Sequence, residues 1–230
     1  GISAQTQNLQ PESNRAWEGG VKWETPDGNL LVTAAAFQIT KDNARENIGG
    51  NVYELVGKLR SRGGELGVSG TLFDVLQLFG GYTYTDAHLD ADAVAADGAY
   101  VYGLKGDALP GVPRNRFNAS ASYAFQVGSG WLTLRGDAYY QSQTQNALSQ
   151  SPRFRYEMDS FSLFNASATY SRDNWDATLW MKNLANEAGI TGVYTDLYMG
   201  TSPAQNYYGG GSKALVTLPR TLGLTVSYRF

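Results

Sequence analysis

The last ten residues, Thr221 to Phe230, restrict the fold of this chain more than any other stretch. Leu222, Leu224, Val226, Tyr228 and Phe230 fall on one parity, while Thr221, Gly223, Thr225, Ser227 and Arg229 fall on the other. An extended strand here therefore carries one apolar and one polar face. A soluble sheet would bury the apolar face in a core, whereas a transmembrane barrel would turn it to lipid. About ten residues is also the length that a tilted strand needs to cross a bilayer.

The same alternation recurs along the chain. Trp17, Gly19, Val21 and Trp23 oppose Glu18, Gly20 and Lys22 within 14–24, and Leu66 and Val68 oppose Glu65, Gly67 and Ser69 within 51–72. Leu76, Leu78, Gly80, Tyr82 and Tyr84 alternate with Gln77, Phe79, Gly81, Thr83 and Thr85. Within 114–125 Phe117, Ala119, Ala121, Tyr123 and Phe125 oppose Asn118, Ser120 and Ser122. Within 131–142 Leu132, Leu134, Ala138 and Tyr140 oppose Thr133, Arg135, Asp137 and Tyr139. Phe164, Ala166, Ala168 and Tyr170 oppose Asn165, Ser167 and Thr169 within 156–171. Ala177, Leu179 and Met181 oppose Asp176, Thr178, Trp180 and Lys182 within 175–184. Residues 30–40 also read as a strand, but they are apolar on both parities, so the pattern does not say which set faces out.

The connections alternate in length. Short ones fall at 25–29, 73–75, 126–130 and 172–174, the first built on Pro26-Asp27-Gly28-Asn29, where Pro presets φ and Gly supplies a positive one. Long ones fall at 41–50, 87–113, 143–155 and 185–219, and residues 1–12 read as loop. Soluble sandwiches do not usually sort their loops this way; an outer-membrane barrel does, with short periplasmic turns and long external loops. Trp23, Tyr123, Phe125, Trp131, Tyr170, Trp175, Tyr228 and Phe230 sit beside the short turns or the C-terminus, where an aromatic girdle is expected.

The expected fold class is therefore all-β, an antiparallel transmembrane β-barrel portion of about nine strands spanning 1–230. Nine strands is an odd number, and an open sheet leaves two unpaired edges in hydrocarbon at several kcal/mol per unsatisfied group. The expectation is a C-terminal part that closes with a missing or separate N-terminal part; eight strands instead of nine would allow a self-contained barrel. The chain opens on Gly1 without a methionine or signal-like segment, consistent with a processing site or a cut inside a longer protein. The absence of cysteine removes disulfides and thiolate metal sites, no window of 18 apolar residues offers a helical span, and a net charge of −3 gives no basic face for nucleic acid.

Six strings, in order, carry a family likeness: LQPESNRAWEGGVKW (Leu9 to Trp23), RSRGGELGVSG (Arg60 to Gly70), GGYTYTDA (Gly80 to Ala87), LPGVPRNRFNASASY (Leu109 to Tyr123), WDATLWMKNLANE (Trp175 to Glu187) and PRTLGLTVSYRF (Pro219 to Phe230). With them the chain resembles the C-terminal barrel portion of TonB-dependent outer-membrane receptors. The resemblance implies the barrel wall and external loops of a receptor that binds and imports a scarce nutrient of the metal-siderophore, cobalamin or oligosaccharide class. Implied partners are outer-membrane lipid, N-terminal barrel strands and a plug that this chain does not contain, TonB through that missing region, the barrel-assembly machinery, and a small-molecule nutrient. A passive porin-like channel or small structural barrel is the alternative. An embedded enzyme would need a nucleophile facing a base, for which no motif is present.

Glu18, Lys22, Glu65, Arg135, Asp137, Lys182 and Arg229 lie on the polar parity and are expected as hydrated lumen-facing wall charges or contacts to a plug. Tyr100, Tyr102, Tyr194, Tyr198, Tyr207 and Tyr208 lie in two long loops, where tyrosines suit ligand capture; packing within the loops is equally open. Tyr228 and Phe230 form an aromatic-x-aromatic ending that resembles the signal read by the barrel-assembly machinery. Asp90, Asp92 and Asp97 lack the spacing of a calcium loop, and His88, the one histidine, cannot build a histidine metal site. No cofactor or metal is expected, and Gly209-Gly210-Gly211 lacks the lysine of a phosphate loop.

Overall fold

The computed structural model describes residues 11–49, 52–94, 101–148, 150, 155–195 and 212–230. Nine strands form one antiparallel sheet: β1 (Ser13–Glu24), β2 (Leu30–Gly49), β3 (Val52–Leu72), β4 (Leu76–Leu89), β7 (Asn115–Val127), β8 (Gly130–Gln141), β11 (Phe161–Arg172), β12 (Trp175–Lys182) and β15 (Thr221–Tyr228). Each pairs with the next in that order, and among the described residues the outer edges of β1 and β15 have no neighbour. The sheet is thus an unclosed wall. Between its strands sit three small hairpins: β5 (Ala93–Val94) with β6 (Val101–Gly103), β9 (Thr144–Gln145) with β10 (Glu157–Met158), and β13 (Ile190–Thr195) with β14 (Ser212–Val216).

The register sorts the side chains into rows that cross the sheet. One apolar row runs Trp23, Val32, Val68, Gly80, Ala119, Ala138, Phe164, and the next runs Val21, Ala34, Leu66, Tyr82, Phe117, Tyr140. This settles β2, whose sequence is apolar on both parities. Val32, Ala34 and Ala36 join the apolar face, while Phe37 shares the polar face with its partners Glu18 and Gly63. Phe37 is tolerated there because its ring lies over Gly63, where a β-carbon would meet Cζ. The apolar face is exposed at Trp17, Val21, Leu66, Leu179, Leu222 and Leu224. Water does not sustain so broad an apolar surface on a monomer; hydrocarbon does.

The short ends of the hairpins are tight. Gly28 (φ 70°) and Gly128 (φ 60°) supply left-handed positions, as does Asp173 (φ 49°), and Thr25 closes the first turn through Leu30 N–H donating to its Oγ1 at 2.9 Å. Phe73 (φ 54°) and Asp74 (φ 57°) both take positive φ between β3 and β4. Outward aromatics gather at this end: Trp175 packs on its cross-strand partner Tyr228 (centroids 4.7 Å), Tyr228 on Phe230 (5.2 Å), and Tyr123 on Phe125 (5.7 Å). Trp131 departs from the expected girdle. Its register row is Gln126, Ser171, Asp176 and Ser227, which belongs to the polar face, because β8 begins at Gly130 and leaves Leu132 as its first outward residue.

At the opposite end the main correction concerns 41–50, expected as a loop. β2 runs on to Gly49 and β3 begins at Val52, with the ladder continuing through Lys41↔Leu59, Ala44↔Gly57 and Glu46↔Glu54 over several register shifts. Past the apolar band the sequence loses its period of two, so alternation stops reporting strand while the backbone ladder persists. For the same reason the stretches 87–113 and 185–219 each contain a small hairpin, and 143–155 contains the first leg of a third, whose second leg, Glu157–Met158, lies just beyond it.

Candidate functional site

The polar face and the long-loop end hold the candidate site. By register Glu18, Lys22, Glu65, Arg135, Asp137 and Lys182 share the polar face, and Arg229 continues it just past β15. Arg135 and Asp137, two residues apart on β8 and so on one side, form a fork: Arg135 Nε donates at 3.1 Å and Nη2 at 2.7 Å to Asp137 Oδ1. Arg229 Nη2 pairs with Asp176 Oδ2 at 2.7 Å across the β12–β15 ladder. Lys182 stands 5.4 Å from the Trp180 ring. These contacts hold the charges in fixed positions along the wall.

A cavity of about 360 Å³ opens on this face near the long-loop end, lined by Glu65, Thr83, Thr85, Gly111, Val112, Pro113 and Arg116. Glu65, Thr83 and Arg116 stand in one register row on β3, β4 and β7, and Gly111 to Pro113 form its loop wall. An anion and a cation face the space two strands apart, with hydroxyls between them. The arrangement suits polar groups of both signs. Arg116 shares the polar parity of Asn118, Ser120 and Ser122, and the register sets it opposite Thr83 and Glu65.

The loop wall is held by a small core of its own. Ala44, Leu89, Ala93, Tyr102 and Leu148 are buried together, with Leu59 and Leu109 packed against them. Gln145 ties the layers: its Nε2 donates to Ala108 O (2.7 Å), its carbonyl accepts from Gly111 N (2.8 Å), and its Oε1 accepts from Arg155 Nη2 (2.6 Å). Tyr102, expected as a candidate contact tyrosine, is 8% exposed in this core, so packing takes most of its ring. Tyr194 lies on β13, where its backbone pairs with Lys213. Tyr100, Tyr198, Tyr207 and Tyr208 lie outside the described residues, as do Asp97 and Gly209 to Gly211.

The acidic residues of the first long loop are engaged within the fold. Asp90 accepts from Arg60 Nη2 at 2.6 Å, and Asp92 Oδ1 accepts from Lys105 N at 2.8 Å. Among the described residues no group of three His, Cys, Asp or Glu side chains is placed to hold a metal ion. His88 Nδ1 lies 3.4 Å from Asp86 Oδ1, a carboxylate that also faces Arg62 and Arg114.

The base of the last long loop is fixed by a polar knot around Asn183, a residue buried at 4% exposure. Its Nδ2 donates to Glu187 O (2.9 Å) and Leu218 O (2.8 Å), its Oδ1 accepts from Glu187 N (2.9 Å), and its own N–H donates to Asn165 Oδ1 (3.0 Å). Thr217 Oγ1 adds a bond to Glu187 O (2.7 Å), and Asn186 Oδ1 accepts from Arg220 N (2.9 Å). This is the structural content of the string KNLANE, and it brings both legs of the loop to one point above β12 and β15.

A family model described as TonB dependent receptor-like, beta-barrel matches residues 1–184. The probable TonB-dependent receptor BfrD of Bordetella pertussis is 30% identical in an alignment of 212 residues that covers 89% of this chain and 27% of that protein. The crystal structure of the siderophore receptor PiuA from Acinetobacter baumannii matches with a TM-score of 0.77 at 25% identity, over 99% of this chain and 30% of that one. The ferric-catecholate import receptor Fiu from E. coli K12, in its closed form, matches in fold with a TM-score of 0.72 at 24% identity, over 100% of this chain and 29% of that one. The chain spans less than a third of the length of each of these proteins.

Proposed function

The chain belongs to the β-barrel family of TonB-dependent receptors, proteins of the bacterial outer membrane, and from that premise we propose that its nine strands are wall and loops of a receptor that imports a metal-siderophore complex. The carrying observation is the two-faced, unclosed sheet whose polar side holds fixed charges and the Glu65–Arg116 cavity, together with relatives whose names include siderophore receptors. In this reading the short turns are periplasmic, the long loops external, and the polar face lines a lumen occupied by a plug. Glu18, Lys22, Glu65, Arg135, Asp137, Lys182 and Arg229 are lumen charges that hydrate the wall or meet that plug. Tyr100, Tyr194, Tyr198, Tyr207 and Tyr208 contribute to ligand capture, TonB acts through the part of the receptor outside these strands, and Tyr228 and Phe230 serve the barrel-assembly machinery.

The test is transport by the full-length receptor in cells stripped of their other iron receptors. Radiolabelled iron offered as a catecholate or hydroxamate complex is expected to enter only when TonB is present. Entry of cobalamin or maltooligosaccharide in place of iron would overturn the cargo class. TonB-independent passage of small solutes would overturn the receptor reading in favour of a channel.

A further inference from the structure

The apolar face carries a notch that the transport reading does not use. Gly19, Ala36 and Gly64 stand side by side in one row across β1, β2 and β3, and Tyr84 on β4 closes the row. Val21, Ala34, Leu66 and Tyr82 form the row toward the short turns. Three small side chains among larger ones leave an apolar groove of about 580 Å³. One same-face step further toward the loops, about 6–7 Å along the strand, the row changes to Trp17, Gln38, Arg62 and Asp86. From Leu76 to Tyr84 the outward residues of β4 span about 26 Å of strand, which a tilt of about 40° shortens to about 20 Å, near the height of an apolar barrel band. The groove therefore lies at the top of the hydrocarbon layer, with the charged row at headgroup level.

The charges of that rim are unequally matched. Lys58 pairs with Asp42 (3.3 Å) and Arg60 with Asp90 (2.6 Å), one to one. Asp86 by contrast is shared by Arg62 (3.1 Å) and Arg114 (3.9 Å), with His88 at 3.4 Å. The two guanidinium side chains are 59% and 66% exposed. One carboxylate cannot satisfy two forks, so surplus positive charge is left beside the groove, where Arg62 stands on the outward row and Arg114, just ahead of β7, reaches the same carboxylate. A guanidinium fork fits phosphate oxygens, and a guanidinium at headgroup level keeps its full charge.

We propose that this face binds a phosphorylated, multiply acylated lipid of the outer leaflet, one acyl chain lying in the Gly19–Ala36–Gly64 groove while a phosphate of the same molecule bridges Arg62 and Arg114. A neutral lipid would fill the groove without engaging the arginines, and a zwitterionic phospholipid, whose single phosphodiester is offset by its own ammonium, would engage them more weakly. A soluble anion would engage the arginines without the groove. The proposal rests on the reading that the long loops are external, since only then does the charged rim meet the outer leaflet.

The experiment uses the full-length receptor, delipidated in mild detergent and titrated with bisphosphorylated lipid A under native mass spectrometry. Two variants address the two halves of the site. Gly64→Leu fills the groove at a position where the nearest heavy atom to a new β-carbon is Ala35 O at 3.5 Å, and Gly19→Leu, with nothing within 4 Å, is the substitute if the first fails to give a heat-modifiable barrel. The double variant Arg62→Ala with Arg114→Ala removes the phosphate contacts. Lipid A binding is expected to weaken by about tenfold or more in each, with phosphatidylethanolamine binding weakened several-fold less by the arginine variant than lipid A binding is. Lipid A binding at wild-type strength in either a folded groove variant or the arginine variant overturns the proposal. Loop orientation is read separately, by labelling a Lys105→Cys variant with an impermeant maleimide on intact cells. Labelling only after permeabilisation would overturn the external-loop reading, and with it the leaflet assignment, whatever the lipid titration gives.

Discussion

The indole of Trp180 on β12 lies against Gly223, its ladder partner on β15, and its Nε1 donates to Thr225 Oγ1 at 3.2 Å. A β-carbon at Gly223 would overlap Cζ2 and Cε2 of the ring. Gly223→Val is therefore expected to destabilise the barrel by about 1–3 kcal/mol through overpacking. Thermal unfolding of the full-length receptor followed by heat modifiability measures it. In the background of Trp180→Ala the same valine should cost much less, because the ring it strikes is gone. Additive losses in the double variant would show that the contact is not the cause.

Asn183 offers a second, independent test. Its amide makes two donor bonds and one acceptor bond at the base of the last long loop, at φ 52°. Asn183→Ala takes the side-chain partner from the Leu218 carbonyl and the Glu187 N–H, while the Glu187 carbonyl keeps Thr217 Oγ1, and is expected to cost about 2–3 kcal/mol of local stability. Asn183→Asp should be worse than alanine, since a carboxylate oxygen would then face both carbonyls. Hydrogen exchange and limited proteolysis across 184–219 would read the loosening, with the β1–β4 ladder as internal reference.

The wall was legible because hydrocarbon on one side and water on the other impose a period of two on its strands, β2 excepted. The terminal strand, Leu222 to Tyr228, shows this without interruption. Where the environment no longer differs between faces, the signal fails: 41–49 continues β2 although polar residues fall on both of its parities. Phe37 and Trp131 mislead for another reason, since each is a large apolar residue accommodated on the polar face, Phe37 over a glycine and Trp131 beside a tight turn. The site was less legible than the wall. Glu65 and Arg116 each follow from alternation, but their pairing two strands apart depends on register, and the Gly111 to Pro113 wall of the cavity depends on how a loop folds back, which is set by the Leu89–Tyr102–Leu148 core and not by local period.

Phe73 occupies a left-handed conformation (φ 54°) while 85% exposed, so no packing within the described residues compensates a bulky side chain for that backbone. Phe73→Asn or Phe73→Gly is expected to raise the unfolding midpoint in detergent, by about 1 kcal/mol in stability. A lower midpoint in detergent for both variants would show that the ring makes a stabilising contact after all.

Asp27, in the turn between β1 and β2, has its carboxyl held below the ordinary carboxylate range, first by the Thr25 hydroxyl and then by the Asn29 backbone N–H, whose bond to Oδ1 is 3.2 Å. A depressed folded-state value means that the ionised turn contributes stability above the unfolded value near 3.9, lost as pH falls through the lower folded value. Carboxyl chemical shifts of Asp27 in the full-length receptor should therefore titrate at lower pH than an unstructured aspartate. In Thr25→Val the midpoint should move back up. An unchanged midpoint in that variant would remove the hydroxyl as the main cause.

Phe230 separates assembly from stability. It lies past the end of β15, exposed, and its ring contact is the edge-on one with Tyr228 at 5.2 Å, whereas Tyr228 also packs on Trp175 at 4.7 Å within the ladder. If the terminal aromatic acts as a recognition signal, Phe230→Ser should leave the unfolding midpoint of the purified barrel within about 0.5 kcal/mol of wild type, as expected for a surface change, while lowering outer-membrane levels several-fold. Tyr228→Ser should reduce both, because it removes a cross-strand aromatic pair worth about 1 kcal/mol. Surface levels of Phe230→Ser equal to wild type, measured by labelling of intact cells at matched expression, would leave the residue as no more than an interfacial anchor.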